Sequence, residues 1–228
     1  MLSQPNDDIE AEWTARLRGL VVDDPAADSA HDIHHLDRVW ANARTIMAAP
    51  EHRDRVNSLV VLAAAYLHDC VAVPKNSPDR PRASRMAAER ATGLLKGIGF
   101  PEAKLSAVAH AIAAHSYSAR IPTETLEAEI LQDADRLDAV GAIGLARTIA
   151  VGAELGRPLF HPTDPAARSR AIDEVAWSAD HLMEKIVKLP ATMNTAAGRA
   201  LGERRIAIVH AFLAGLEDET GASVFPQP

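Results

Sequence analysis

A chain of 228 residues, 47% apolar and 24% charged, carries enough apolar mass for a substantial core, which excludes a disordered chain and a disulfide-stapled miniprotein. Its formal charge of −7 gives a nucleic-acid backbone no general basic field, and one cysteine, Cys70, cannot form an intramolecular disulfide. The first residues lack a positive segment followed by an apolar one, and the longest apolar run, Leu59 to Leu67, falls far short of the roughly 20 residues of a membrane span.

The expectation is therefore a soluble cytoplasmic protein, a monomer or homodimer, with no membrane or nucleic-acid partner. Alanine is the commonest residue and aromatics make up only 4%, a balance that favours helices over sheets. No alternating segment is long enough to read as a strand. The fold class expected is all-α, one bundle of about eight helices.

Taken in chain order, the predicted helices run from about Asp8 to Val21, Asp32 to Ala48, Arg55 to Cys70, Ala83 to Gly97, Glu102 to His115, Thr123 to Gly156, Ala166 to Leu189 and Thr195 to Glu219. In the second, Ile33, Leu36, Val39, Trp40, Ala43 and Met47 recur at helical spacing and form a core face. Gly97, Gly99 and Pro101 separate the fourth helix from the fifth, stop and start signals in the right order. Prolines crowd the stretches from Val73 to Arg82 and from Arg157 to Arg168, which read as ordered surface loops. Neither is a convincing interdomain linker, and the chain reads as a single domain.

Histidine and aspartate concentrate in four places: His31-Asp32-Ile33-His34-His35, His68-Asp69, His110 with His115, and Asp133-Ala134-Asp135-Arg136-Leu137-Asp138. Imidazole and carboxylate suit hard to borderline divalent ions. His35 lies about 40° around its helix from Val39, at the edge of the apolar stripe, whereas His34 faces about 100° away. His68 and Asp69 end an apolar helix, where an ionised Asp69 needs a partner or an ion; a helix that ends in polar groups near solvent is the other reading. Asp135 and Asp138 share a helix face and Asp133 does not, and the same six residues also read as an exposed charged turn. His52, His161, His181 and His210 read as ordinary surface or interface histidines, Trp40 and Trp177 as core residues, and Cys70 as a buried thiol.

The ordered set His35-Leu36-Asp37-Arg38-Val39, His68-Asp69 and Ala134-Asp135-Arg136-Leu137 resembles the H...HD...D signature of HD-domain metal-dependent phosphohydrolases. Ala30-His31-Asp32, Ala113-Ala114-His115-Ser116 and the run from Gln132 through Arg147 extend the likeness to a small bacterial branch of that superfamily, over roughly Ala30 to Glu219. It implies an HD core at about 30–150 with the C-terminal helices at 166–219 packed on it. It also implies one divalent ion (Mn, Mg, Fe, Co, Ni or Zn) on His35, His68, Asp69 and Asp135, with His110 and His115 the candidates for a second.

The activity implied is attack of metal-bound water on the phosphorus of a small phosphorylated molecule, a nucleotide first of all, with Asp69 and His115 as catalytic residues. Arg38, Lys75, Arg147 and Lys185 are the candidate phosphate contacts, each equally readable as a surface base paired with an acid. His31, Asp32, Glu127, Asp133, Arg136 and Asp138 are expected around the ligands. Pyrophosphohydrolysis of nucleoside triphosphates is one alternative; a non-catalytic regulator that binds nucleotide or metal is another.

Overall fold

The computed structural model of the chain describes residues 5–22, 33–73, 77–116 and 119–220. His31, Asp32 and Lys75 lie outside the described residues. The helices are α1 (Pro5–Val22), α2 (Ile33–Met47), α3 (Ser58–Leu67), α4 (Ala83–Gly97), α5 (Leu105–His115), α6 (Leu126–Asp138), α7 (Gly141–Glu154), α8 (Ser178–His181) and α9 (Ala196–Thr220). No strand occurs among the described residues, and the fold is all-α. Among them, too, no helix is long and apolar enough to cross a membrane.

Residues 1–135 and 136–228 form two compact units. In the first, α3 is buried from Val60 to Leu67, and its apolarity all round is what a helix enclosed by neighbours requires. α1, α2 and α5 pack on α3, and α4 packs on α5. The predicted face of α2 is seen at Leu36, Val39, Trp40 and Ala43, with Ile46 buried where Met47 was expected. α1 is seated by Trp13, edge-on to Phe100 at 5.1 Å; the Arg16 guanidinium lies 4.2 Å above the Trp13 ring and donates to the Ile98 carbonyl.

In the second unit, Leu182, Ile186, Met193, Val209 and Leu213 make the core, and α9 packs on α7 and on a tight turn at Pro190–Thr192. That turn comes so close to α9 that a Cβ on Gly202 would meet the Met193 sulfur at 3.0 Å.

Two predicted helices need correction. Thr123 to Gly156 is not one helix: α6 begins only at Leu126, and the chain breaks at Ala139 and Val140 before α7. The backbone of Gly141 has φ +84°, and a Cβ on Gly144 would fall 2.1 Å from the Ala139 carbonyl oxygen, so this corner is built on glycines that periodicity alone does not reveal. Ala166 to Leu189 is mostly not helical. Ala167 turns left-handed at φ 52°, and Asp173 Oδ1 takes the amides of Val175 and Ala176, a local turn that outcompetes the helix ladder until Ser178.

Candidate metal centre

Four helices of the first unit each bring a ligand-type side chain to one place. His35 sits in the first turn of α2 and is 3% exposed. His68 follows the last residue of α3 in helical conformation and is fully buried, with Asp69 next to it. His115 closes α5 and Asp135 lies in the last turn of α6.

His35 Nε2 is 3.6 Å from Asp135 Oδ1, and His68 Nε2 is 3.8 Å from the same oxygen and 3.5 Å from Asp69 Oδ2. His115 Nε2 is 3.6 Å from Asp69 Oδ1. Ligand atoms of His35, His68 and Asp135 all lie within 4.8 Å of one another, as do those of His68, Asp69 and His115. The two groups share His68.

Backbone carbonyls set the imidazole tautomers. His68 Nδ1 is 2.9 Å from the Ala65 oxygen and His115 Nδ1 is 2.6 Å from that of Ile112, so each Nδ1 carries the proton and each Nε2 faces the cluster. Burial pushes the His68 proton affinity down, against the opposing pull of Asp69 and Asp135. Burial is the largest single influence on His115 and acts against its charged form, but Asp69, Asp135 and the Ile112 carbonyl together outweigh it and the net shift is upward.

The neutral His68 Nε2 is buried, has no hydrogen-bond partner among the described residues, and points its lone pair at two carboxylates. Acceptor against acceptor is repulsive, so the space between them suits a cation. Nitrogen and carboxylate oxygen together are a donor set for a divalent first-row ion or magnesium.

Polar bonds hold the ligand helices in register. Glu127 Oε1 on α6 accepts the Asn57 amide that opens α3, at 2.8 Å. Asn42 on α2 donates to the Ala134 carbonyl, one residue before Asp135, at 3.0 Å. Gln132 on α6 donates to the Ala114 carbonyl, one residue before His115, at 2.8 Å. Tyr66 on α3 donates to Asp37 on α2 at 2.8 Å, and Arg18 on α1 grips both Asp37 oxygens at 2.7 and 2.8 Å. Sequence reasoning missed Asn42, Gln132 and Tyr66 in these roles, though one signal existed: Asn42 is seven residues beyond His35 and so shares its helix face.

The other candidates are not among these two ligand groups. Arg38 is half-buried on α2, one turn beyond His35, and Asp133 is fully buried on α6. His34 is exposed, and His110 Nε2 accepts the Glu124 amide at 3.1 Å. Arg136, Asp138, Arg147 and Lys185 belong to the second unit. There Arg147 pairs with buried Asp138 at 2.6 Å, Arg136 donates to the Thr192 carbonyl at 2.6 Å, and Lys185 is exposed.

Three readings of bystanders need amending. His52 is not on the surface: it is 5% exposed and bonds the Ile46 carbonyl through Nδ1, tying the chain back after α2. Trp177 is only half-buried, set between His161 and the Arg170 guanidinium. Cys70 is half-buried too, its thiol donating to the Ala87 carbonyl.

Residues 32–140 match the HD domain. Over 195 residues the chain is 30% identical to Bacillus subtilis YpgQ, described as an uncharacterized protein, an alignment covering 84% of this chain and 85% of YpgQ. The structure resembles that of an HD-superfamily hydrolase from Bacillus thuringiensis with TM-score 0.69 and 29% identity, over 93% of this chain and 99% of the other. It also resembles the structure of Bacillus subtilis YpgQ in complex with ADP, with TM-score 0.70 and 26% identity, over 92% and 96% of the two chains.

Proposed function

This chain belongs to the HD-domain family, and from that premise we propose that it is a metal-dependent phosphohydrolase acting on a nucleotide phosphate. The observation that carries the reading is the lone pair of His68 Nε2, buried, without a hydrogen-bond partner among the described residues, and facing Asp69 and Asp135. His35, His68, Asp69 and Asp135 would hold the ion. When bound, a divalent ion supplies Lewis acidity toward a phosphoryl oxygen and lowers the pKa of water.

The chain's own groups do the rest. Asp69 faces His68 through Oδ2 and His115 through Oδ1, so one carboxylate joins the ligand cluster to a proton carrier. His115 Nε2 is the atom at which a proton is held as the phosphorus–oxygen bond is made and given up as the leaving oxygen departs. The bound ADP of the related YpgQ supports a nucleoside phosphate as the substrate class.

The test is phosphate and pyrophosphate release from a panel of nucleoside mono-, di- and triphosphates and other phosphorylated metabolites, each with Mn, Mg, Co, Ni or Zn. Metal-dependent turnover is expected, lost in Asp69→Asn with the circular dichroism spectrum intact, because the neutral amide is a poorer ligand than the carboxylate. Pyrophosphate as the product would identify the pyrophosphohydrolase. Nucleotide binding without turnover under every metal would replace the enzyme with a regulator.

A further inference from the structure

We propose that Tyr66 is a positioning residue for the metal centre, its hydroxyl setting the separation of His35 and His68 through its bond to Asp37. The proposal rests on the metal-centre reading above and adds to it the group that holds the two imidazoles at their spacing.

The geometry is that of two flanks of one helix–helix contact. Asp37 is two residues beyond His35 on α2, and Tyr66 is two residues before His68 at the end of α3. Two residues correspond to about 200° around a helix, so on each helix the polar residue and the histidine lie on opposite sides. Fully buried Leu67 and 3%-exposed Leu36 fall between them in sequence. α2 and α3 pack on each other. The 2.8 Å bond from Tyr66 to Asp37 therefore closes one flank of the contact, and the imidazole pair, with ring centroids 5.4 Å apart, forms the other.

A roll of either helix that lengthens the first flank changes the second. Burial of Leu36 and Leu67 resists separation of the helices but is non-directional, so it does little against a roll. The directional restraint is the hydroxyl bond. Its acceptor is itself immobilised, because Arg18 on α1 holds both Asp37 oxygens, and Tyr66 is 2% exposed. A divalent ion demands particular ligand distances, and groups that orient its ligands typically govern affinity by about 10- to 100-fold when lost.

The test compares Tyr66→Phe, Asp37→Leu, their double variant and Thr92→Val as a control. Thr92 on α4 gives its hydroxyl to the Ala88 carbonyl at 2.8 Å, a bond within one helix that should not affect the centre. Mn(II) affinity is measured by calorimetry on the full chain, and the visible spectrum of the Co(II) form reports ligand geometry independently of turnover. Tyr66→Phe should weaken Mn(II) binding about tenfold and shift the Co(II) bands, with Asp37→Leu alike and the double variant no worse than either single one. Thr92→Val should leave both readings unchanged.

Mn(II) affinity within twofold of the parent in Tyr66→Phe, or an equal loss in Thr92→Val, overturns the proposal. So does additivity in the double variant, which would mean that the two residues act separately. Failure of Tyr66→Phe to fold also overturns it, since the bond would then belong to the fold and not to the centre. A parent chain that binds no divalent ion at all would instead sink the metal-centre reading itself.

Discussion

Asp135→Asn should make the chain more heat-stable without a divalent ion and less responsive to one. Oxygens of Asp135 and Asp69 lie 3.8 and 3.5 Å from the same nitrogen, His68 Nε2, so they are no more than about 7 Å apart. At an effective dielectric of about 20, two charges at that distance repel by about 2 kcal/mol. With the two side chains 30% and 28% exposed, screening brings this to about 1 to 2 kcal/mol. Asparagine removes one charge with little change of volume. For a chain of this length each kcal/mol moves the midpoint by about 2 to 4 °C, so the chelated variant should melt about 2 to 8 °C above the chelated parent.

Added metal reverses the order. An ion present at about 100 times its Kd stabilises the folded parent by about 2.7 kcal/mol, or about 5 to 11 °C. The variant, with one carboxylate ligand lost, should gain a small fraction of that. Thermal melts of both proteins in chelator and in Mn(II), at one protein concentration and near-neutral pH, give the four midpoints required. If Asp135→Asn melts below the parent in chelator and still gains the full increment with Mn(II), the two carboxylates are not competing for one cation and the reasoning fails.

Arg38→Ala and Lys75→Ala should each lower kcat/KM by about 30- to 150-fold, the equivalent of about 2 to 3 kcal/mol for a charge-assisted phosphate contact, with metal per chain unchanged by elemental analysis. Metal lost along with activity would mean that the residue organises ligands, and unchanged kinetics would remove it from the phosphate site. In the second unit, Asp164 accepts the amides of Ser169 and Arg168 at 2.8 and 2.9 Å, which hold its carboxyl down at about 2 from an ordinary 3.8. Because the folded value is the lower one, these bonds stabilise the loop above pH 3.8 and are lost as pH falls through about 2. A titration of the Asp164 carboxyl by NMR with its midpoint at or above 3.8 would refute this.

What the sequence made legible follows a physical line between periodic and non-periodic information. Amphipathic spacing located α2, and it placed His35 at the edge of the apolar stripe, where the structure finds it 3% exposed. Alanine content and the glycine–proline punctuation gave α4 its bounds, Ala83–Gly97, and separated it from α5. The convergence of His35, His68, His115 and Asp135 was not readable from spacing alone, because helices far apart in sequence meet by tertiary packing. It was reached through a resemblance. The break between α6 and α7 stayed hidden for a related reason: Gly144 is needed there only because the Ala139 carbonyl approaches it. Arg147 shows the same limit at the level of charge, since which acid it pairs with, Asp138 at 2.6 Å, is set by tertiary packing and not by spacing along the chain.

The polar bonds between helices explain how such a cluster survives in a fold that burial would otherwise simplify. Two carboxylates and three imidazoles at the ends of buried helices work against folding when no cation is present, since each is partly desolvated and the carboxylates repel. Leucine and alanine at the same positions would pack better. The cost is tolerable because Asn42, Gln132, Glu127 and Tyr66 satisfy neighbouring backbone or carboxylate groups on a different helix in each case, so the ligand helices stay in register while the ligand atoms face one another. Each bond contributes only about 1 kcal/mol net, but their directions differ and together they restrain α2, α3, α5 and α6. A cluster that local stability opposes and a surrounding polar frame maintains is the pattern expected where function sets the side chains.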